Sequence, residues 1–238
     1  MKLDVLDKGY VRLLDSMGSD LDVVNAARVS YDKRSELFGE NDHKLLKFLV
    51  RENHTAPFRH AIVKFEAYAP LMVKNQWFKH LIGGIYTEDA EFAGLDPMFA
   101  WNESSRRYVT EDEEFYVPDA NSWRSKPANS KQGSGSNFSE VAGSYWTKMM
   151  NETVHQGAWR YQSAMDAGIA PEQARLFLPA YAMYVRWQWT TSLQGVMHFL
   201  KLRDEEHAQK EIRDYAVAVK QLTATKFPVS IGSLDGSQ

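Results

Sequence analysis

The stretch Ile62-Val63-Lys64-Phe65-Glu66-Ala67-Tyr68-Ala69-Pro70 sets apolar Val63, Phe65, Ala67 and Ala69 against Lys64, Glu66 and Tyr68 at alternate positions. Successive strand side chains point to opposite faces, so this pattern predicts a half-buried strand. Pro70 lacks an amide hydrogen that a first helical residue would leave unused, and a helix is expected from it through Val73 and Trp77 until Gly83-Gly84. The alternation returns where Met183, Val185, Trp187 and Trp189 interleave with Tyr184, Arg186, Gln188 and Thr190. Near the N-terminus, Leu3 with Val5 and Val11 with Leu13 predict two short strands around a turn at Lys8-Gly9.

Helical signals fill much of the remainder. Asp20 is the expected N-cap of a helix carrying Leu21, Val24, Ala27 and Val29. A second helix is expected from Asp42 to Glu52, with Leu45, Leu46, Phe48 and Leu49 inward. A long helix should start at Ser139 and close at Gly168, and Pro171 suits the first turn of the next. Ser192 to Lys226 reads as helical with a joint near Arg203-Asp204. Residues 83–101 lack a period and read as a loop, while 125–137, rich in Ser, Asn, Gly and Lys, reads as a mobile one. The expected class is α+β, a central mostly antiparallel sheet flanked by long helices in one domain spanning 1–238.

The formal charge of -3, from 28 basic and 31 acidic residues, argues against a protein built to neutralise a phosphate backbone, so no nucleic acid is expected. Cysteine is absent, which removes thiolate nucleophiles, thiolate metal sites and disulfides together. The opening residues, with Asp4, Asp7 and Asp15, hold no apolar run of signal-peptide length, and no later stretch approaches a membrane span. A cytoplasmic protein without membrane attachment is expected.

The densest polar cluster is Trp101-Asn102-Glu103-Ser104-Ser105-Arg106-Arg107-Tyr108. Guanidinium forks bind phosphate in pairs, and Ser or Asn bonds base edges, so the octapeptide suits a nucleotide. By itself it is read more simply as a solvated polar loop. Arg175, Arg186 and Arg203 stand in apolar company, and a guanidinium is costly to bury unpaired. Glu172 and Asp204 are the structural partners in reach, and an ion pair explains each arginine as readily as a site does. The histidines form no HExxH and no two-His-one-carboxylate grouping, so no metal is expected. No Walker A loop, GxGxxG or GxSxG is present.

Taken in order, these pieces resemble the flavin-dependent thymidylate synthases over nearly the whole chain. Met1-Lys2-Leu3-Asp4-Val5-Leu6-Asp7-Lys8-Gly9 and Asn25-Ala26-Ala27-Arg28-Val29-Ser30 are similar to that family's beginning. His54-Thr55-Ala56-Pro57-Phe58-Arg59-His60 resembles its His-x-Ser/Thr-Pro-Phe-Glu-His turn, and Asn102 to Tyr108 its Asn-Glu-x-Ser-x-Arg-Tyr. Gln76-Trp77, Lys79-His80-Leu81, Ala174-Arg175, Trp189-Thr190 and Phe199-Leu200-Lys201-Leu202-Arg203 follow in register, with His207-Ala208-Gln209 completing the match.

The resemblance implies that family's fold and a homotetramer with active sites at subunit junctions. It also implies FAD, with methylene-tetrahydrofolate and NADPH as cosubstrates, and methylation of dUMP to dTMP. Such chemistry methylates uracil without a cysteine nucleophile. Carried over by position, Gln76, Lys79, Glu103, Ser104, Ser105, Arg106, Arg107, Arg175 and Arg203 hold the nucleotide. Arg203 and Ser105 are the catalytic candidates: Arg203 stabilises the polarised ring with fixed positive charge, and Ser105 positions with its hydroxyl. His54, Ala56, Lys79, His80, Leu81, Glu103, Ser192, Gln194 and His198 fall at flavin-facing positions.

Departures gather on the flavin side. The family's Arg-His-Arg is Lys79-His80-Leu81, its Glu after Phe58 is Arg59, and its Asn-x-Arg is Ser192-Leu193-Gln194. Replacing Arg by Lys loses the planar fork, and Leu81 removes a charge. In addition, 20 residues separate Leu81 from Asn102, so 83–101 reads as an insertion. Two alternatives stand beside this reading: a different C5 modification such as hydroxymethylation, which rests on these changes, or a degenerate relative that binds nucleotide or RNA through Arg106, Arg107 and Arg203 without turnover.

Overall fold

The computed structural model describes residues 1–81, 99–104, 113–127, 133–205 and 208–234. Five strands form one antiparallel sheet in the order β1-β2-β3-β5-β4, with β1 Lys2–Val5, β2 Gly9–Met17, β3 Ile62–Pro70, β4 Ala100–Glu103 and β5 Tyr184–Ser192. The helices are α1 Asp20–Arg28, α2 Glu40–Arg51, α3 Leu71–Leu81, α4 Glu140–Asp166, α5 Pro171–Ala174, α6 Leu193–Arg203, α7 Lys210–Ala224 and α8 Pro228–Gly232. The α+β reading therefore stands. None of the described helices is long and apolar enough to cross a membrane.

Register explains which side of the sheet became the core. Phe65 faces Trp189 and Ala67 faces Trp187, so the odd-numbered residues of β3 and β5 share one face, and all four are buried. Trp77 of α3 meets both indoles edge-on, at 5.3 Å and 5.4 Å, and stacks on Phe199 of α6 at 4.7 Å. Aromatic quadrupoles favour these edge-on and offset contacts. The even-numbered face carries Tyr68 opposite Arg186 and Tyr10 opposite Tyr68. There the segment around Glu114 is strapped on, Tyr68 donating to the Glu114 carboxylate at 2.7 Å and Tyr184 N to the Glu114 carbonyl at 2.9 Å. Gly9 lets the two faces close, since an added Cβ would collide with the Tyr215 hydroxyl that donates to Tyr68 O at 2.8 Å.

Besides Phe48, expected inward on α2 but 43% exposed, three sequence readings need correction. Ser19, not Asp20, is the N-cap of α1, because its backbone is extended and its hydroxyl accepts from Asp22 N. Asp20 is instead buried and caps α8, accepting from Val229 N at 2.8 Å, Ser230 N at 3.1 Å and Ser230 Oγ at 2.5 Å. Second, Ala100–Glu103 is an edge strand rather than part of a loop, since β5 offers it a free row of backbone partners. Third, α2 begins at Glu40, where Asp42 bonds back to Gly39 N at 2.8 Å and fixes the first turn. Of the loop read over 125–137, the ends are joined by Ser125 N to Ser136 O at 2.9 Å and Gly135 N to Ser125 O at 2.8 Å.

Candidate active site

The turn that carries His54 is set by the end of α2. Asn53 adopts the left-handed region at φ 53°, which asparagine tolerates. Its N–H donates to Val50 O at 3.2 Å, and His54 N donates to Leu49 O at 2.9 Å, the two bonds of a Schellman close. His54 thereby stands exposed with its ring against Phe48 at 5.6 Å. Beside it lies a cavity of about 490 Å³ lined by Ala26, Ala27, Ser30, Leu49, Asn53, His54, Thr55, Ala56, Pro57 and His60. Two of the sequence-predicted flavin positions, His54 and Ala56, meet here.

A second group forms around α3. Lys74 and Phe78 share the side facing the edge strand: Lys74 Nζ lies 2.6 Å from Glu103 Oε2, and the Phe78 ring meets Trp101 at 5.4 Å. Ser104, next to Glu103, donates its N–H to Arg186 O at 2.8 Å, which continues the β4–β5 ladder. Gln76 and Lys79 lie on another side of α3, one turn apart. Gln76 donates to the Gln209 side chain, and Gln209 is the N-cap of α7. Lys79 is exposed.

Arg203 ends α6, and the chain leaving it leads to Gln209. Its Nε is buried without a hydrogen-bond partner, and no carboxylate among the described residues pairs with it. Asp204, the partner in reach by sequence, is taken by Lys220 at 2.8 Å. Burial pushes the Arg203 guanidinium below its ordinary value, yet an arginine stays charged at working pH. Arg175 likewise ignores Glu172 and donates to Pro171 O at 3.1 Å. Arg186 lies over the Tyr68 ring, 5.5 Å from its centroid.

Other candidates fall elsewhere on α6. Ser192 is fully buried and caps the helix by accepting from Gly195 N at 3.1 Å. Gln194 and His198 are partly buried and one turn apart, on the side of α6 away from Arg203. Burial, reinforced by Lys201, pushes the His198 imidazole below its ordinary value. Ser105, Arg106 and Arg107 lie outside the described residues, as do the side chains of His80 and Leu81 and the part of the insertion over 83–98. Reading the sequence missed Lys74 and Gln209, which contact the candidate residues Glu103 and Gln76. The signal for Lys74 was its place one turn before Phe78, meaningful only once Ala100–Glu103 is known to be a strand.

A five-stranded antiparallel sheet packed with helices, one of which ends on the buried, unpartnered Arg203 Nε, defines an α+β fold with a polar candidate site, and comparison makes the class definite. Residues 12–229 match the family described as thymidylate synthase complementing protein, and the chain belongs to that family. A flavin-dependent thymidylate synthase of Thermus thermophilus is 37% identical over 97% of this chain and 77% of its own length. One of Thermotoga neapolitana is 33% identical over 96% and 91%. Among solved structures, the UMP/dUMP methylase PolB of Streptomyces cacaoi bound with 5-Br dUMP superposes with a TM-score of 0.79 at 28% identity, covering 98% of this chain and 97% of that one.

Proposed function

We propose that this chain is a flavin-dependent thymidylate synthase, converting dUMP to dTMP with FAD, methylene-tetrahydrofolate and NADPH. The observation that carries the reading is Arg203, a cation with a buried, unpaired Nε, beside the chain that leads to the Gln76–Gln209 pair. An anion or a polarised carbonyl is the natural partner of such a group. Fixed positive charge there would stabilise the ring once it has lost a proton, and the conjugated anion carries negative charge to C5. No cysteine exists to activate the ring covalently, and stabilisation of the ring anion by Arg203 takes that place in this reading.

The cavity beside His54 fits a flavin. Hydroxyls of Ser30 and Thr55, the amide of Asn53 and the imidazoles of His54 and His60 offer hydrogen-bonding groups, while Ala26, Ala27 and Ala56 leave room for a flat ring. A bound flavin supplies the reducing equivalents for the methyl group. His54 and Thr55 would orient it, Gln76 and Glu103 would orient the nucleotide, and Ser105 and Arg107 would add a hydroxyl and a cation on the nucleotide side. Homotetramer assembly is supported by α4, which leaves Val141, Tyr145, Trp146, Met149 and Trp159 exposed in a single copy. A cytoplasmic location fits a nucleotide-building enzyme.

Flavin absorbance followed with NADPH, then mass spectrometry of the nucleotide, tests the reading. Bleaching that accelerates with dUMP, and dTMP as product, are expected. A hydroxymethyl product, or nucleotide binding without turnover, overturns it. PolB is described with 5-Br UMP as well as 5-Br dUMP, which favours a second reading in which UMP is also methylated, and parallel assays with UMP decide it. Light scattering should give a mass near four times 27.3 kDa.

A further inference from the structure

A larger cavity, about 830 Å³, opens between the end of α1 and the start of α2, and Arg28, Tyr31, Lys33 and Arg34 line one side of it. Its volume is in the range of small-molecule sites, roughly 300–1,000 Å³. It adjoins the His54 cavity: Ala26, Ala27 and Ser30 line the smaller one, Arg28 and Tyr31 the larger. The cations are not equivalent. Arg28 is neutralised, 2.6 Å from Asp42 Oδ1 and donating to Ser35 Oγ. Lys33 and Arg34 are exposed, and no carboxylate among the described residues pairs with either. Tyr31, 76% exposed, stands beside them.

The cavity is poorly suited to a compact phosphate. The start of α2 faces it, but Asp42 already accepts the Gly39 N–H at 2.8 Å, and Glu40 adds a second negative charge there. The Gly39 N–H is thus already taken, and the two carboxylates oppose a compact phosphate at this helix start. An extended anion with spaced carboxylates avoids that floor. Along the rim, exposed Lys33 and Arg34 offer it two cations and Tyr31 an apolar ring for its methylene segments.

We propose that this cavity receives the tail of the folate cosubstrate, a chain of γ-linked glutamates, so that polyglutamyl folate is preferred over monoglutamyl folate. The inference rests on reading the neighbouring His54 cavity as part of the flavin and folate site. Two exposed ion pairs are worth about a three- to tenfold preference, weakening as salt rises.

The test measures kcat/KM for mono- and pentaglutamyl methylene-tetrahydrofolate, alongside direct binding of p-aminobenzoyl-pentaglutamate and its monoglutamate to the FAD-loaded protein by intrinsic fluorescence. The wild type should favour the long chain in both assays. A Lys33→Glu, Arg34→Glu double variant should lose that preference while kcat with the monoglutamyl folate is unchanged. Equal handling of the two chain lengths by the wild type overturns the proposal, as does a preference that survives the double substitution. A variant that instead loses discrimination between NADPH and NADH marks a nucleotide phosphate as the anion and overturns it too. Absence of turnover with either folate defeats the synthase reading, and the fragment-binding arm then decides the cavity's ligand on its own.

Discussion

Lys74 Nζ lies 2.6 Å from Glu103 Oε2, joining α3 to the last residue of the edge strand β4. Glu103 is thereby held beside Ser104, at the start of the sequence motif proposed to hold the nucleotide. Both side chains are partly shielded, Lys74 at 18% and Glu103 at 34% exposure, so the pair is worth more than a fully solvated one. Lys74→Met should raise the KM for dUMP by about three- to thirtyfold, or ~0.7–2 kcal/mol, with a smaller effect on kcat. Lys74→Arg, which restores the charge, should recover most of the loss. An unchanged KM in steady-state assays of Lys74→Met would show that the pair has no part in binding.

Removing Arg203 should separate function from stability. Fixed charges aimed at developing negative charge are typically worth 100- to 1,000-fold, so Arg203→Gln should lower kcat by about that factor. The same change relieves a buried Nε without a partner, so the melting temperature should hold or rise. Arg203→Lys keeps the charge, loses the fork and should fall between. Thermal unfolding and single-turnover assays on the three proteins read both effects, and a large fall in melting temperature for Arg203→Gln would mark the residue as structural.

How legible these features were depended on whether the signal was local. The alternation of Val63, Phe65, Ala67 and Ala69, and of Trp187 with Trp189, comes from neighbours in sequence, and both strands are where it points. Strand β4 escaped because Ala100–Glu103 has only a partly buried Trp101 to reveal a face, and its order comes from pairing with β5. Asp20 deceived for the converse reason: aspartate beside a helix start reads as a local cap, but its carboxylate serves α8 at the far end of the chain. Arg203 was visible as an odd cation, while its freedom from Asp204 required seeing Lys220 fold back onto that acid. The run Asn102 to Tyr108 stood out by resemblance rather than by pattern, since a string of polar residues carries no periodicity.

The Asp20 cap gives a stability prediction. A buried carboxylate that accepts two backbone N–H groups and a hydroxyl leaves all three unsatisfied when removed. Asp20→Ala should cost about 2–4 kcal/mol, and Asp20→Asn less, since the amide oxygen still accepts. The five-residue α8 cannot stand without tertiary support, so the loss should appear as early exchange of its amides. Urea unfolding and hydrogen exchange measure the two. Equal stability of Asp20→Ala and the wild type would mean that the cap carries no net free energy.

His198 makes stability depend on pH in a stated direction. Burial and the nearby Lys201 lower its proton affinity in the folded protein. The unfolded chain, with a histidine near the ordinary value of about 6.5, therefore binds this proton more readily. As pH falls below about 6.5, unfolding takes up a proton, and stability declines until the lower folded value is reached, by at most ~1.4 kcal/mol per pH unit. His198→Asn should remove that part of the decline, so the wild type and variant curves converge on acidification and separate above neutral pH. Lys201→Gln removes the second cause and should raise the imidazole's titration midpoint, read from its Cε1 proton shift. A midpoint that does not move with Lys201→Gln leaves burial as the sole cause, while one at or above the ordinary value in the wild type would contradict the packing of α6.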